Sequence, residues 1–202
     1  MYPRNFDDLI QALHKLPGVG MKTAERYAFA ILNWPEEERN DFLQSLSRVR
    51  KIQHCKVCGN ISDGPICPIC QDESRDEDII CVVQSPKDIA AIESMDEFNG
   101  VYHVLNGLIN TAKGVLPEQL NIDQLTDRIT DSTEEVILAL DPTIEGETTM
   151  MYLERLLKDD VEVSRLAQGI PMGSRLDYAD ARTLSRAFAG RTKADKDDSV
   201  NS

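Results

Sequence analysis

Four cysteines lie within sixteen residues of this 202-residue chain and constrain its fold more than any other feature. Cys55 and Cys58 form one C-x2-C pair, and Cys67 and Cys70 form a second pair after an eight-residue spacer. In a reducing compartment such a group is typical of a metal site, and four thiolates close a tetrahedral Zn²⁺ with no open position. The spacing therefore predicts one structural zinc ion, with disulfides or free thiols as the alternative.

The spacer of this zinc module contains the residues that its turns require. Gly59 and Gly64 are expected to adopt the positive backbone angles that tight turns often need. His54 precedes the first ligand and is interpreted as a bystander. Zinc modules of this length bind protein partners, bind DNA or hold a fold together, and the residues alone do not decide among these roles.

Charge is unevenly distributed along the chain. The net charge is −13, from 22 basic and 35 acidic residues, and this excludes a broadly basic protein that coats nucleic acid. Residues 1–54 hold eight Lys or Arg and seven Asp or Glu, so the N-terminal quarter has a net charge of +1 and the remainder −14. Any contact with phosphate is therefore expected in the N-terminal quarter.

Targeting and membrane signals are not expected from the composition. Hydrophobic residues make up 41% and charged residues 28% of the chain, values that are ordinary for a globular protein. We find no run of about 20 apolar residues and no N-terminal signal peptide, so a cytoplasmic protein without membrane contact is expected.

The N-terminal stretch LPGVGMKTAERYA has the form of a helix-hairpin-helix. Gly18 and Gly20 permit a tight turn that a phosphate can approach closely, and a second helix should begin at about Met21. Lys22 and Arg26 lie four residues apart on one face of that helix, where they could neutralise phosphates without contacting bases. An ordinary turn between two packed helices, or a surface for self-association, are the alternatives. A further helical run is expected over residues 36–52.

From Asp78 onwards, apolar runs alternate with amphipathic ones. Strands alternating with helices imply a parallel sheet that is covered on both faces. The acidic stretch QDESRDED just before is interpreted as a joint, and the last eleven residues, TKADKDDSVNS, are expected to be disordered. The strands are predicted in IICVVQ, GVYHVL, EVILALD and VEVSRLA, and the helices between them in SPKDIAAIESM, NIDQLTDRITD and GETTMMYLERLLKDD.

Carboxylates at the ends of these strands raise the possibility of a Mg²⁺ site. The order of elements resembles a Toprim domain, whose metal site needs a Glu after the first strand and an Asp-x-Asp after a later strand. Here Gln84 stands at the first position, and Thr143 stands where the second Asp would be, after Asp141. An amide binds a hard cation less well than a carboxylate and does not exchange a proton near neutral pH. The acids are therefore interpreted as helix caps and first-turn residues, with a Mg²⁺-dependent nuclease or primase-like enzyme as the alternative.

Over nearly its whole length the chain resembles the bacterial RecR family of recombination mediators. The three modules come in that family's order, helix-hairpin-helix, four-cysteine zinc module and Toprim domain with altered metal positions. The strings that carry the resemblance are LPGVGMKTAERYA, CKVCGNISDGPICPIC, YHVLNGLINTAKGVLPEQLNI, EVILALDPTIEGETTMMYL and LAQGIPMGSRLDYADARTLSRAFAGR.

The resemblance implies a DNA-repair factor without a catalytic residue. It implies action with RecO and RecF proteins to promote RecA loading onto single-stranded DNA, close to the nucleoid. It also implies a homo-oligomer, a dimer or tetramer ring built through the hairpin and a C-terminal arm. Such a ring would bind single- and double-stranded DNA without sequence specificity through cations around its hole, and leave its acidic outer face to protein partners. A protein-interaction scaffold with incidental DNA contacts is a third hypothesis.

The resemblance also assigns roles to individual residues. Lys22 and Arg26, with the turn glycines Gly18 and Gly20, match the DNA-binding hairpin, and the four cysteines match the zinc ligands. Asp88, Asp141, Glu145 and Glu147 match an acidic cluster tied to partner binding, whereas Gln84 departs from the family's usual Glu.

The predicted fold is therefore a multi-domain α+β protein. It comprises a helix-hairpin-helix domain over residues 1–54, a zinc finger over 55–77, an α/β Toprim domain with a mainly parallel sheet over 78–170, and a C-terminal arm with its tail over 171–202. The arm's helix is expected from Tyr178 to Phe188.

Overall fold

The computed structural model describes residues 2–192 and divides the chain into two compact units, residues 2–52 and residues 53–192. Of the tail predicted to be disordered, residues 193–202 lie outside this described range. None of the helices within residues 2–192 combines the length and the apolarity that crossing a membrane would require.

The first unit consists of three helices. Helix α1 spans Arg4–His14, α2 spans Met21–Asn33 and α3 spans Glu36–Arg48, followed by a 3₁₀ turn at Val49–Lys51. Ile10 of α1 packs against Ala24 and Ala28 of α2, and all three are buried. The alanines bring the two helix axes close because interaxial distance depends on side-chain size at the contact. Within residues 2–192, no side chain of helix α3 is fully buried.

The second unit begins with the zinc module. Strands β1, Gln53–His54, and β2, Ile61–Ser62, pair antiparallel, and the short helix α4 spans Pro68–Gln71. Such short elements cannot bury a core, so their order depends on the cysteines between them.

A four-stranded parallel sheet forms the centre of the second unit. Its strands are β3, Asp76–Val83, β4, Gly100–Val104, β5, Glu135–Ala139, and β6, Glu162–Arg165, in the spatial order β4-β3-β5-β6. The two central strands are apolar on both faces, which is why continuous apolar runs rather than alternation mark them in the sequence. The mixed α+β class and the parallel sheet predicted from the sequence are confirmed.

Helices cover both faces of this sheet. Helix α5, Pro86–Glu93, places Ile89 against Cys81 and Val83 on one face. Helix α7, Ile144–Leu157, places Met150 and Leu153 on the other face, beside the short helix α6, Ile122–Thr126. The connection after β3 therefore covers one face and the connections after β4 and β5 cover the other, and the sheet's carboxyl edge opens between β3 and β5, where the connections diverge.

Several helices differ from their predicted bounds, and in two of them a side-chain contact explains the difference. The helix expected over residues 121–131 ends at Thr126, since the Arg128 guanidinium donates to the Tyr102 carbonyl at 2.7 Å and draws the chain back to the sheet. In the arm, the helix expected from Tyr178 begins later, as α8, Ala181–Ala189. Its start is set by Asp180, whose Oδ1 accepts from the backbone N–H of Arg182 at 2.9 Å.

The acidic stretch predicted as a joint is instead anchored to the sheet. Arg75 donates to both carboxylate oxygens of Glu93 and to the Gly100 carbonyl, and the Tyr102 hydroxyl donates to the same carboxylate. The Arg75 side chain is 14% exposed. We call these four residues the Arg75 clamp. Strand β3 then starts at Asp76, within the stretch rather than after it.

Gly146 shows how closely α7 packs on the end of β5. A Cβ added at Gly146 would overlap the Asp141 carbonyl oxygen, which is backbone and cannot rotate away. We expect Gly146→Ala to lower the free energy of unfolding by about 2–3 kcal/mol, as overpacking does at rigid sites. Urea denaturation measures this change. Gly190→Ala is the matched control, since its nearest neighbour would be 3.5 Å away, and an equal loss in both variants would contradict the expectation.

Candidate functional site

The turn between α1 and α2 is built as the sequence predicted, with one difference. Gly18 adopts φ +77°, which favours glycine, whereas Gly20 begins α2 at φ −74°, an angle open to any residue. His14 Nδ1 donates to the Val19 carbonyl at 2.9 Å and closes the loop. A Cβ at either glycine would have no heavy atom within 4 Å, so the outer surface of the turn is open to a ligand.

Two cations lie beside this open turn. Lys22 and Arg26 are exposed on one face of α2, as their spacing predicted. Neither side chain makes a hydrogen bond or ion pair with another residue of the described range 2–192, so their charge is available to an external anion. Flexible cations beside open backbone suit phosphate oxygens rather than base edges.

The four sulfur atoms of the zinc module have the geometry that a zinc ion requires. Their Sγ atoms all lie within 4.8 Å of one another, and the Cys58 and Cys67 sulfurs are 3.6 Å apart. A tetrahedron with Zn–S bonds of about 2.3 Å separates its sulfurs by about 3.8 Å, so the donor set fits Zn²⁺. A hydrogen bond between the Cys58 and Cys70 sulfurs lowers the pKa of Cys58 and raises that of Cys70, as expected where a thiol donates to a neighbouring thiolate.

Backbone contacts join the zinc module to the sheet. The Val104 N–H donates to the Cys58 carbonyl at 2.7 Å. Gly59 adopts φ +75°, and a Cβ there would come within 2.9 Å of the Val104 carbonyl. The sequence prediction of a positive angle is therefore correct at Gly59, whereas Gly64 is absent from the positive-φ residues of the described range.

Gln84 and Asp141 follow neighbouring strands at the carboxyl edge of the sheet. Val83 and Ala139 are register partners, so the residues just beyond them leave the sheet together. The Gln84 Oε1 atom is buried and, within the described range, has no hydrogen-bond partner. Asp141 is exposed and lines a cavity of about 590 Å³.

Of the four acids predicted to form one cluster, only Asp88 and Asp141 share this cavity. Asp88 is also part of a capping box, since its carboxylate accepts from the Ser85 N–H at 2.8 Å. Glu145 instead accepts from the Asn110 amide at 3.0 Å. Asp88 and Glu145 are therefore directed towards different partners, and Glu147 has partners of its own.

Glu147 ties the C-terminal arm to α7. One of its oxygens pairs with Arg165 at 3.1 Å, and the other pairs with Arg186 of α8. Partial burial alone would raise the pKa of Glu147, but hydrogen bonds from Arg186 and Gln168 hold it below its usual value. This carboxylate is thus engaged by two guanidinium groups, which disfavour a cation at the same oxygens.

Thr143 caps α7, a role that the sequence analysis gave to other residues. Its hydroxyl accepts from the Gly146 N–H at 3.1 Å. The interpretation of Asp141 as a helix cap is therefore wrong, although Glu145 and Glu147 do lie in the first turn of the helix as expected.

Four protein-family models match the chain in sequence order. They are the RecR helix-hairpin-helix over residues 6–50, the RecR four-cysteine zinc finger domain over 52–72, the Toprim domain over 78–167 and the RecR C-terminal region over 169–192.

The chain belongs to the RecR family. The match to the family's zinc finger and the convergence of four sulfurs together assign a structural zinc ion to Cys55, Cys58, Cys67 and Cys70. Membership of RecR places the chain among recombination mediators in DNA repair, and its helix-hairpin-helix domain suggests DNA binding.

The sequence analysis missed the partners of the acids. Arg165, Arg186 and Asn110 contact Glu147 or Glu145 from 18 to 39 residues away. No local spacing joins positions so distant, and only the basic face of the amphipathic α8 pointed to Arg186.

Removal of zinc should destabilise the whole second unit. Structural zinc contributes about 10–16 kcal/mol to the folding of finger-sized peptides, and here the module also pairs with Val104. We expect Cys58→Ser to lose the metal and to lower the melting temperature. Elemental analysis and a thermal melt measure both. Cys81→Ser is the control, because Cys81 lies in the sheet, and a Cys58→Ser protein with one zinc per chain would contradict the assignment.

Docking of the arm should depend on pH through Glu147. Its folded pKa lies below the unfolded value, so the ion pairs add stability above the unfolded pKa and lose it as pH falls through the folded pKa. We expect Glu147→Gln to cost about 1 kcal/mol near pH 7 and to expose α8 to trypsin. The difference from wild type should shrink in acid. Glu145→Gln is the control, because Glu145 contacts Asn110 rather than the arm. Equal trypsin sensitivity in both variants would refute the role of Glu147 in docking the arm.

Proposed function

We propose that this chain is a non-catalytic DNA-binding recombination mediator that acts with RecO and RecF to promote RecA loading onto single-stranded DNA. The observation that carries this proposal is the open hairpin, with Lys22 and Arg26 free to bind phosphate, in a chain matched by RecR models over residues 6–50, 52–72 and 169–192. Its place of action would be the bacterial nucleoid.

The contact proposed for the hairpin is made to the sugar-phosphate backbone of the DNA. Open space at Gly18 and Gly20 lets one phosphate reach the turn. Lys22 and Arg26 would neutralise the phosphates next to it along the DNA strand. Contacts of this kind carry no base information, so single- and double-stranded DNA would both bind without sequence specificity.

The lack of catalysis is supported by what the carboxylates do at the sheet edge. Asp88 and Thr143 are occupied as helix caps, and Glu147 is paired with two arginines. Acids committed in this way can stabilise the fold and present charge to a partner without holding a metal. We propose Asp88, Asp141, Glu145 and Glu147 as the surface for RecO or RecF.

Assembly into a dimer or tetramer ring is supported by exposed apolar residues of α3 and of the 3₁₀ turn that follows it. Leu43, Leu46 and Val49 are 61%, 55% and 58% exposed, although all three are apolar. An exposed apolar stripe of this kind marks an interaction surface. In a ring, each subunit's pair of hairpin cations would act together, and effective concentration would multiply weak phosphate contacts.

DNA affinity should fall with salt, and the slope should report on Lys22. Each phosphate neutralised on duplex DNA contributes a slope of about −0.9 in log K against log salt. We expect Lys22→Ala to reduce the steepness of log K against log salt by about one for every Lys22 that contacts a phosphate. Fluorescence anisotropy of labelled DNA at several salt concentrations measures this slope. The control is Lys87→Ala, an exposed lysine of α5. An unchanged slope in Lys22→Ala would remove this residue from the contact.

The mediator role is tested with RecA on single-stranded DNA coated by single-strand-binding protein. RecA ATPase activity should rise when this chain and RecO are added together, and the rise should be smaller for a Lys22→Ala, Arg26→Ala double variant. Equal RecA activity with and without the wild-type chain would reject the proposal.

A Mg²⁺-dependent nuclease or primase-like enzyme is the second candidate. The observation that favours it is the shared cavity of Asp88 and Asp141. Incubation of the protein with fluorescently labelled DNA and Mg²⁺ decides between a mediator and an enzyme. Cleavage of the DNA by wild type that disappears in Asp141→Asn would establish the enzyme.

A further inference from the structure

Three aromatic rings cluster at one end of the first unit. Tyr2 lies 5.3 Å from Phe6 and 5.6 Å from Phe29 between ring centroids, and Phe6 lies 4.8 Å from Phe29. All three pairs meet at steep angles between 60° and 79°, the edge-to-face arrangement that aromatic rings favour. The cluster is held by its own packing.

Two of these rings remain accessible to solvent. Tyr2 is 39% and Phe29 is 38% exposed, whereas Phe6 is half-buried beneath them. The Tyr2 hydroxyl donates to the Glu25 carboxylate, which fixes the orientation of the ring. The pair Tyr2 and Phe29 therefore offers an ordered aromatic surface on a rigid support.

The position of Phe29 links this surface to the hairpin cations. Lys22, Arg26 and Phe29 occupy positions i, i+4 and i+7 of α2, which lie within about 60° of one another around the helix. A strand whose phosphates bind the two cations would thus run towards the exposed rings. Single exposed aromatic residues are common, but exposed rings in line with unpaired cations are the combination that single-stranded DNA binding uses.

Glu25 is an acid that contacts one of these rings, and this contact limits its effect. Its carboxylate is half-buried and accepts from Tyr2, so it faces the rings rather than solvent alone. Lys22 and Arg26, by contrast, are exposed and make no hydrogen bond or ion pair within the described residues, and the Arg26 guanidinium lies over the Tyr27 ring at 5.5 Å from its centroid. The charge presented to a passing strand is therefore positive on the Lys22 side of the rings.

We propose that Tyr2 and Phe29 form a stacking platform for an unpaired base of a DNA strand held by Lys22 and Arg26. The inference rests on the proposed DNA-binding function and adds a preference to it. Bases in a duplex already stack on one another and cannot reach the platform, whereas an unpaired base can. The chain should therefore bind single-stranded DNA more tightly than a duplex of equal length.

Leucine substitutions test the platform, because leucine keeps apolar bulk and removes the ring. We expect the Tyr2→Leu, Phe29→Leu double variant to lose about tenfold in affinity for a 30-nucleotide deoxythymidine oligomer, within the range of base–aromatic stacking. Affinity for a 30-base-pair duplex should stay within about twofold of wild type. Phe42→Leu is the matched control, since Phe42 packs on Trp34 in the same unit but away from the cations.

Further measurements separate the possible causes of a change. A thermal melt and light scattering of each variant report folding and subunit number, and photocrosslinking of wild type to an oligomer carrying 5-iododeoxyuridine locates the stacked base directly. Crosslinks at Tyr2 or Phe29 support the platform even if the double variant folds poorly.

Four outcomes would overturn the inference or its basis. Equal loss on both DNA forms together with a smaller particle would make the rings an assembly surface, and unchanged affinity for the oligomer would remove them from DNA binding. If wild type bound neither form at low salt, the proposed function itself would fail. Wild-type affinity that depends on Lys22 but not on the rings would refute the platform alone.

Discussion

Coordination of one zinc ion by four thiolates is the constraint on which the second unit depends. The zinc module buries little beyond the cysteines themselves, so without the metal it has no core to order it. Its order matters to the sheet because the Val104 N–H, at the end of β4, donates to the Cys58 carbonyl. A buried backbone donor without a partner is costly, so the metal site contributes to the strand as well as to its own loops.

Local patterns predicted the parts of the fold that local physics decides. The continuous apolar runs of β3 and β5 marked central parallel strands, and glycine at the hairpin placed the start of α2 at Met21. The two C-x2-C pairs predicted the zinc site because chelation needs only a short loop between ligands. Distant contacts decided the rest. The Arg128 contact with Tyr102 shortened α6, and no periodicity along the chain encodes such a partner.

The two candidate sites were predictable to different extents, because one is formed by neighbouring residues and the other depends on distant contacts. Lys22 and Arg26 of the hairpin belong to one helix, so their four-residue spacing was enough to predict that they share a face. The sheet-edge acids come from α5, from α7 and from the loop before α7, and the partners of Glu145 and Glu147 come from elements far along the chain. The sequence named these carboxylates without their directions, and direction separates a metal cluster from caps and ion pairs. Thr143 illustrates this, because a hydroxyl in the place of an acid serves as a cap for α7.

The Arg75 clamp has a consequence for how the second unit responds to mechanical load and to protein engineering. A guanidinium held by a carboxylate on α5 and a carbonyl on β4 makes the link after the zinc module stiff rather than a hinge. Displacement of the zinc loops by a bound partner would thus be transmitted to the first strand of the sheet. For the same reason, transplanting residues 53–72 into another scaffold would leave behind the groups that orient them, and the segment is not an interchangeable cassette.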